Sequence, residues 1–163
     1  MKQQPDSGTL ILEKAAGSAA DFLRHYRLPF YSSLLFGLLA YGYAFTNKLL
    51  NHDEVTSLFA KGGTVTSGRW GLGALDSIFP NYSMPWIYGL ITLVLIALSV
   101  CLLISILNIR NRLLQILLSG TVVVFPSLIG LFGYMFTSSS FALAFFLAVA
   151  AAAMAKTLGK WRI

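Results

Sequence analysis

The chain has 163 residues, of which 56% are hydrophobic and only 11% carry a charge, and its net charge is +6. Soluble domains usually carry about 25% charged residues, whereas the stretches 84–107 and 113–155 contain no Asp, Glu, Lys or Arg at all. This composition excludes a soluble fold and predicts an all-α, polytopic membrane bundle of about four transmembrane helices. The basic residues lie at the ends of the apolar runs, as is typical of membrane proteins, and this placement argues against nucleic-acid binding.

The N-terminal residues 1–28 are predicted to form a cytoplasmic tail. Within this tail, residues 9–26 mix apolar side chains with charged ones such as Glu13, Lys14 and Arg24. The pattern is typical of an amphipathic helix that lies on a membrane surface. A plain polar tail is the open alternative.

Four apolar runs follow, each close to the length of about 20 residues that a bilayer core requires. They are predicted to span the membrane at residues 29–47, 85–107, 113–136 and 139–155. A cytoplasmic turn at 108–112 and an extracytoplasmic turn at 137–138 connect the later spans, and 156–163 form a second cytoplasmic tail. Pro126 removes one backbone hydrogen bond from the third span and should kink it. The fourth span is rich in alanine, which favours close helix packing.

Lys and Arg are divided unequally between the two sides of this topology. Nine lie in the two tails and the 108–112 turn, against three in the segment 48–84. The positive-inside rule therefore predicts that both termini are cytoplasmic and that 48–84 is extracytoplasmic.

The segment 48–84 is the long polar stretch between two spans, which makes it the candidate site of chemistry. Apolar residues at helical spacing predict two short amphipathic helices in it, lying on the outer membrane surface. Asp53 and Glu54 come soon after the first span, near the membrane–water boundary. The alternative interpretation makes these carboxylates simple helix-dipole partners, and Arg69 and Trp70 simple contacts to lipid headgroups.

Three stretches in and beside this segment resemble the beginning of a known family of enzymes. The stretches 51–54, 63–71 and 78–86 resemble the bacterial and phage Gtr type II glucosyltransferases, which are serotype-converting membrane enzymes that modify O-antigen or related surface glycans. The similarity runs from about the first span through the fourth. It implies a multi-pass protein of the bacterial cytoplasmic (inner) membrane.

The resemblance also implies the reaction of the wider GT-C glycosyltransferases. A glucosyl or similar hexosyl group would move from an undecaprenyl-phosphate sugar to an extracytoplasmic glycan, so the implied partners are this lipid-linked donor, the glycan acceptor and membrane lipids. Asp53 is expected to be the catalytic base, with Glu54 as its partner or alternative. Arg69 would bind the donor phosphate, with Gly68 and Trp70 as substrate-adjacent neighbours. No metal ligand is predicted, and participation of a divalent metal stays open.

The resemblance has one departure, because the family's enzymes are much longer and have more spans. We therefore expect either the N-terminal part of such an enzyme or a truncated relative. The alternative function is that of a non-enzymatic membrane protein, such as a transporter or flippase subunit or an assembly partner. The absence of charged residues from the spans argues against transport by this chain alone.

Overall fold

The computed structural model describes residues 7–47, residue 71 and residues 84–159. The ordered helices of this part of the chain are α1 (Ser7–His25), α2 (Arg27–Thr46), α3 (Pro85–Ile106), α4 (Arg112–Val123), α5 (Pro126–Gly133) and α6 (Met135–Thr157). No strand occurs among the described residues. The predicted all-α class is confirmed.

Helices α2, α3 and α6 are each long and apolar enough to cross a membrane, and α4 with α5 makes a fourth span if the bent pair is counted as one. The prediction of a membrane helix bundle with about four spans is therefore confirmed. A helix is also present in the N-terminal tail, whereas its contact with the membrane surface stays a prediction. The two amphipathic helices predicted for 48–84 lie outside the described residues.

Two glycines bring α2 and α3 into close, antiparallel contact. A Cβ atom on Gly37 would overlap the Leu93 side chain, and one on Gly89 would overlap the ring of Phe45. Residues late in α2 thus meet residues early in α3. Only glycine lets the two backbones approach this closely, which is a common device at helix interfaces in membranes.

The third span breaks where Pro126 was expected to bend it. Helix α4 ends at Val123, α5 begins at Pro126, and the two axes differ by 47°. The break leaves backbone carbonyls without their helical partners. Tyr41 supplies one replacement, because its buried hydroxyl donates to the carbonyl oxygen of Val123 at 3.0 Å. The predicted kink is confirmed.

Helix α6 differs from the predicted fourth span at its start. It begins at Met135, so residues 137–138, predicted as a turn, are helical. Their hydroxyls donate to carbonyls of the preceding turn, from Thr137 to Tyr134 and from Ser138 to Met135, which lets a serine-rich stretch remain helical and buried. Helix α6 packs closely on α3, mainly through its first half, which includes the buried Ala142, whereas most alanines of its second half are exposed.

The described bundle has two chemically different ends. We call one the loop end, which contains Asn47, Met84 and Tyr134, because the packing of Phe45 on Gly89 places the last turn of α2 beside the first turn of α3. We call the other the basic end. It contains Tyr26, whose carbonyl oxygen lies 3.8 Å from the Cys101 sulfur, and Lys156, whose Nζ donates to the carbonyl of Ile106.

Candidate functional site

The residues predicted to form the site lie outside the described residues: Asp53, Glu54, Gly68, Arg69 and Trp70. The structure consequently does not test whether they come together. It does fix where their segment joins the bundle. The chain leaves α2 at Asn47 and returns at Met84, and both positions are at the loop end.

A large cavity lies along the membrane-spanning part of the bundle. Its volume is about 1010 Å³, which is at the upper end of the range for ligand pockets. The walls come from α3, from both halves of the broken span and from α6. The lining residues are Ile96, Leu103, Thr121, Val122, Phe125, Ser127, Leu128, Gly130, Leu131, Tyr134, Phe136, Thr137, Phe141, Ala142 and Phe145.

The bend of the third span shapes this cavity. Helix α4 packs against α2 and α3, whereas α5 turns away and packs against α6. The divergence leaves space between α3, the bend and α6. Two contacts with Tyr41 of α2 stabilise the bend. The Tyr41 hydroxyl donates to the carbonyl oxygen of Val123, and the ring of Phe132 packs on the ring of Tyr41 with centroids 4.1 Å apart.

The cavity lining is apolar and rich in aromatic rings. No lining residue carries a charge. Several of the rings, among them Phe125, Tyr134 and Phe141, are exposed, so the cavity is open on the side that a bilayer would cover. A surface of this kind suits a hydrocarbon chain better than a sugar or a nucleotide.

Hydroxyl groups lie at the loop end of α3 and α6. Thr92 donates to the Ser138 hydroxyl at 2.9 Å, and Ser138 in turn donates to the carbonyl oxygen of Met135 at 2.8 Å. Both side chains are buried. This bond joins α3 to α6, two of the helices that form the cavity walls.

Comparison with known protein families gives a match over most of these elements. The family described as glucosyl transferase GtrII matches residues 42–162. The chain belongs to this family. No curated protein and no solved structure matches it.

The residues matched by the GtrII family include most of the membrane-spanning helices. The match begins in the last turn and a half of α2 and continues through α6. It therefore contains the whole segment between Asn47 and Met84 as well as every wall of the cavity. Helix α1 and most of α2 lie outside the match.

Two features of the GtrII chain escaped the sequence interpretation. One is the cavity, whose rings lie on α6 and at the two residues that flank α5; the Phe125–Pro126 pair and the spacing of Phe141 and Phe145 were the available signals. The other is the bond between Tyr41 and Val123, which joins residues far apart in the sequence. No periodicity signals such a contact.

Proposed function

We propose that this GtrII family chain transfers a glucosyl or similar hexosyl group from a polyprenyl-phosphate donor to an extracytoplasmic glycan, such as O-antigen, at the surface of the bacterial inner membrane. The observation that supports this proposal is the family match over residues 42–162, because it includes the segment with Asp53, Glu54 and Arg69. The apolar cavity provides a second, independent support.

The cavity suits the lipid part of the proposed donor. A polyprenyl chain is a long branched hydrocarbon. The cavity has an apolar, aromatic lining and is open on the side that lipid tails would cover. Tyr134 and Thr137 line it at the loop end, where the segment 48–83 joins the bundle. A chain lying in the cavity with its phosphate at that end would bring the sugar to the proposed catalytic residues.

The proposed chemistry is a substitution at the anomeric carbon of the donor sugar. The acceptor hydroxyl oxygen forms the new bond to this carbon, and its proton passes to the carboxylate of Asp53, with Glu54 as partner or alternative. The bond between the anomeric carbon and the phosphate oxygen breaks, and polyprenyl phosphate leaves with both electrons. Arg69 would stabilise the phosphate because its planar guanidinium can hold two oxygens.

The test compares Asp53→Asn, Glu54→Gln and the double variant with the unchanged protein in cells that carry the acceptor glycan. Removing a general base typically costs a factor of about 10² to 10⁴ in rate, so at least one variant should lose glycan modification, measured by mass spectrometry of the glycan. Asp21→Asn is the matched control, because Asp21 is an exposed carboxylate on α1. Undiminished modification in all three variants would instead favour the non-enzymatic alternative.

The proposed sidedness, with both termini in the cytoplasm, has a separate test. The sequence contains one cysteine, Cys101, and its side chain is buried. A cysteine introduced at an exposed position can therefore be labelled selectively. An impermeant maleimide applied to intact cells should label Ser67→Cys and should not label Ser18→Cys on α1. The opposite labelling would place the proposed site in the cytoplasm and contradict the donor geometry.

A further inference from the structure

A second cavity, of about 760 Å³, lies at the basic end of the bundle. It forms where α1 meets α2 and where the chain turns from α3 into α4. Four arginines line it: Arg24, Arg27, Arg110 and Arg112. No carboxylate is among the lining residues, and the carboxylates of the described residues, Glu13 and Asp21, are both on α1.

One half of this arginine pocket stands on a well-defined turn. Asn108 adopts the left-handed conformation with φ of 53°, which reverses the chain directly after α3. The Asn111 side chain then caps α4 by accepting from the backbone N–H of Leu113 at 2.8 Å, and Gln115 Nε2 donates to the carbonyl oxygen of Ile109 at 2.9 Å. Arg110 and Arg112 are therefore presented by a backbone whose shape is fixed by hydrogen bonds.

The other half stands on the junction between α1 and α2. Tyr26 N–H donates to the carbonyl oxygen of Phe22 at 3.0 Å, and its own carbonyl accepts from the N–H of Phe30 at 3.1 Å. The hydrogen bonds run through the junction, so Arg24 and Arg27 lie on nearly continuous helical backbone. Arg24 has one carboxylate nearby, Asp21 at 3.9 Å, and both side chains are largely exposed, so this pair neutralises little of the pocket's charge.

The composition of the pocket points to a phosphate group. Four arginines around one cavity make its electrostatic potential positive, and guanidinium forms paired hydrogen bonds with phosphate oxygens. The positive-inside rule alone would be met by lysine as well as by arginine, and it does not require the basic residues to surround a cavity. The lysines among the described residues, Lys14 and Lys156, do not line the pocket.

We propose that the arginine pocket binds the phosphate of an anionic phospholipid headgroup, at the opposite membrane surface from the proposed donor site. Leu28, Ile104 and Ile109 also line the pocket, so apolar surface continues from it toward the spans, as a lipid with a headgroup and tails requires. Helix α2 has 20 residues, and at 1.5 Å per residue it separates the two ends by about 30 Å. The pocket is thus distinct from the donor site.

The experiment measures binding of dihexanoyl-phosphatidylglycerol to the full chain in a neutral detergent by isothermal titration calorimetry. Dihexanoyl-phosphatidylcholine, which has no net charge, is the reference lipid. We expect saturable binding of the anionic lipid and several-fold weaker binding of the neutral one. Arg110→Gln and Arg112→Gln should each weaken binding about fivefold, since one basic residue near a lipid surface contributes about 1 kcal/mol.

Lys14→Gln is the matched control, because it removes the same charge from an exposed residue outside the pocket. It should leave the binding constant unchanged, and circular dichroism should show native helix content in all variants. Equal weakening by Lys14→Gln, or equal binding of both lipids by the unchanged protein, would overturn the proposal. The last measurement is a titration with inorganic phosphate. If inorganic phosphate binds as tightly as the anionic lipid, the pocket is a site for free phosphate and the lipid assignment is overturned. These outcomes do not depend on glycosyl transfer.

Discussion

The loop end and the basic end of the bundle differ in the charge and the exposure of their side chains. At the loop end, neutral side chains are buried between helices, as with Phe45 on Gly89 and Thr92 on Ser138. At the basic end the arginines are exposed, and Asn111 and Gln115 bind backbone of their own turn. We therefore expect substitutions in the buried contacts of the loop end to lower the free energy of unfolding most, and substitutions of the exposed arginines at the basic end to change phospholipid binding more than unfolding.

The largest effect on unfolding is expected from Gly89→Ala at the loop end. The added methyl group would overlap the ring of Phe45, which cannot retreat freely because it also packs on Phe132 with centroids 5.3 Å apart. Overpacking of this kind typically costs about 1–3 kcal/mol. The free energy of unfolding is measured by titration with sodium dodecyl sulfate and circular dichroism. Gly42→Ala is the control, since its added methyl group would meet no atom of another helix within 4 Å; equal losses in both variants would contradict the described packing.

Tyr41→Phe should come next. It removes the hydroxyl that donates to Val123 at 3.0 Å and leaves that buried carbonyl without this partner at the bend. The expected loss is about 1–2 kcal/mol in the same titration. Tyr43→Phe, in the same helix but with a side chain 71% exposed, should lose almost nothing. Similar values for the two tyrosines would mean that the hydroxyl of Tyr41 does not support the bend.

At the basic end, Asn111→Ala removes the cap of α4. Loss of an N-cap typically costs about 1 kcal/mol, and here two backbone N–H groups, those of Leu113 and Leu114, lose their acceptor. Asn111→Asp retains the accepting oxygen and places a negative charge at a helix N-terminus, so it should keep the stability of the unchanged protein. A loss in the aspartate variant as large as in the alanine variant would rule out capping as the cause.

The smallest effect on unfolding is expected from Arg112→Gln. Exposed side chains usually change stability by no more than about 0.5 kcal/mol, and Arg112 is exposed. Added phosphatidylglycerol should stabilise the unchanged protein more than this variant, because a ligand that binds the folded state more tightly stabilises it more. A large loss in neutral detergent without lipid would show that Arg112 is structural and would remove the contrast between the two ends.

The membrane bundle was predictable from the sequence because apolar runs of span length carry a strong signal. The same holds for the break at Pro126, since proline lacks the donor that a continuous helix needs. The start of α6 was not predictable in this way. Ser138 and its neighbours look like a polar turn, and only their bonds to carbonyls of the preceding helical turn make them helical and buried.

The two cavities depend on tertiary structure that no local pattern contains. Arg24 and Arg112 come from distant parts of the chain and share a pocket only because α2 and α3 run antiparallel. The sequence indicated the orientation of the chain from these charges, but it did not indicate that they share a pocket. The family match shows to which family the chain belongs. The roles of Asp53, Glu54 and Arg69 stay predictions.

The bend in the third span has a consequence for the surrounding bilayer. From the start of α4 to the end of α5, with the break at 124–125 included, the third span has as many residues as the 22 of α3. A path bent by 47° reaches a few ångströms less far along the membrane normal than a straight helix of that length. A span of shorter reach favours shorter lipid tails beside the bend, at a modest cost per ångström. The leaflet would be thinnest beside the aromatic cavity, which shortens the way for a polar headgroup to descend toward it.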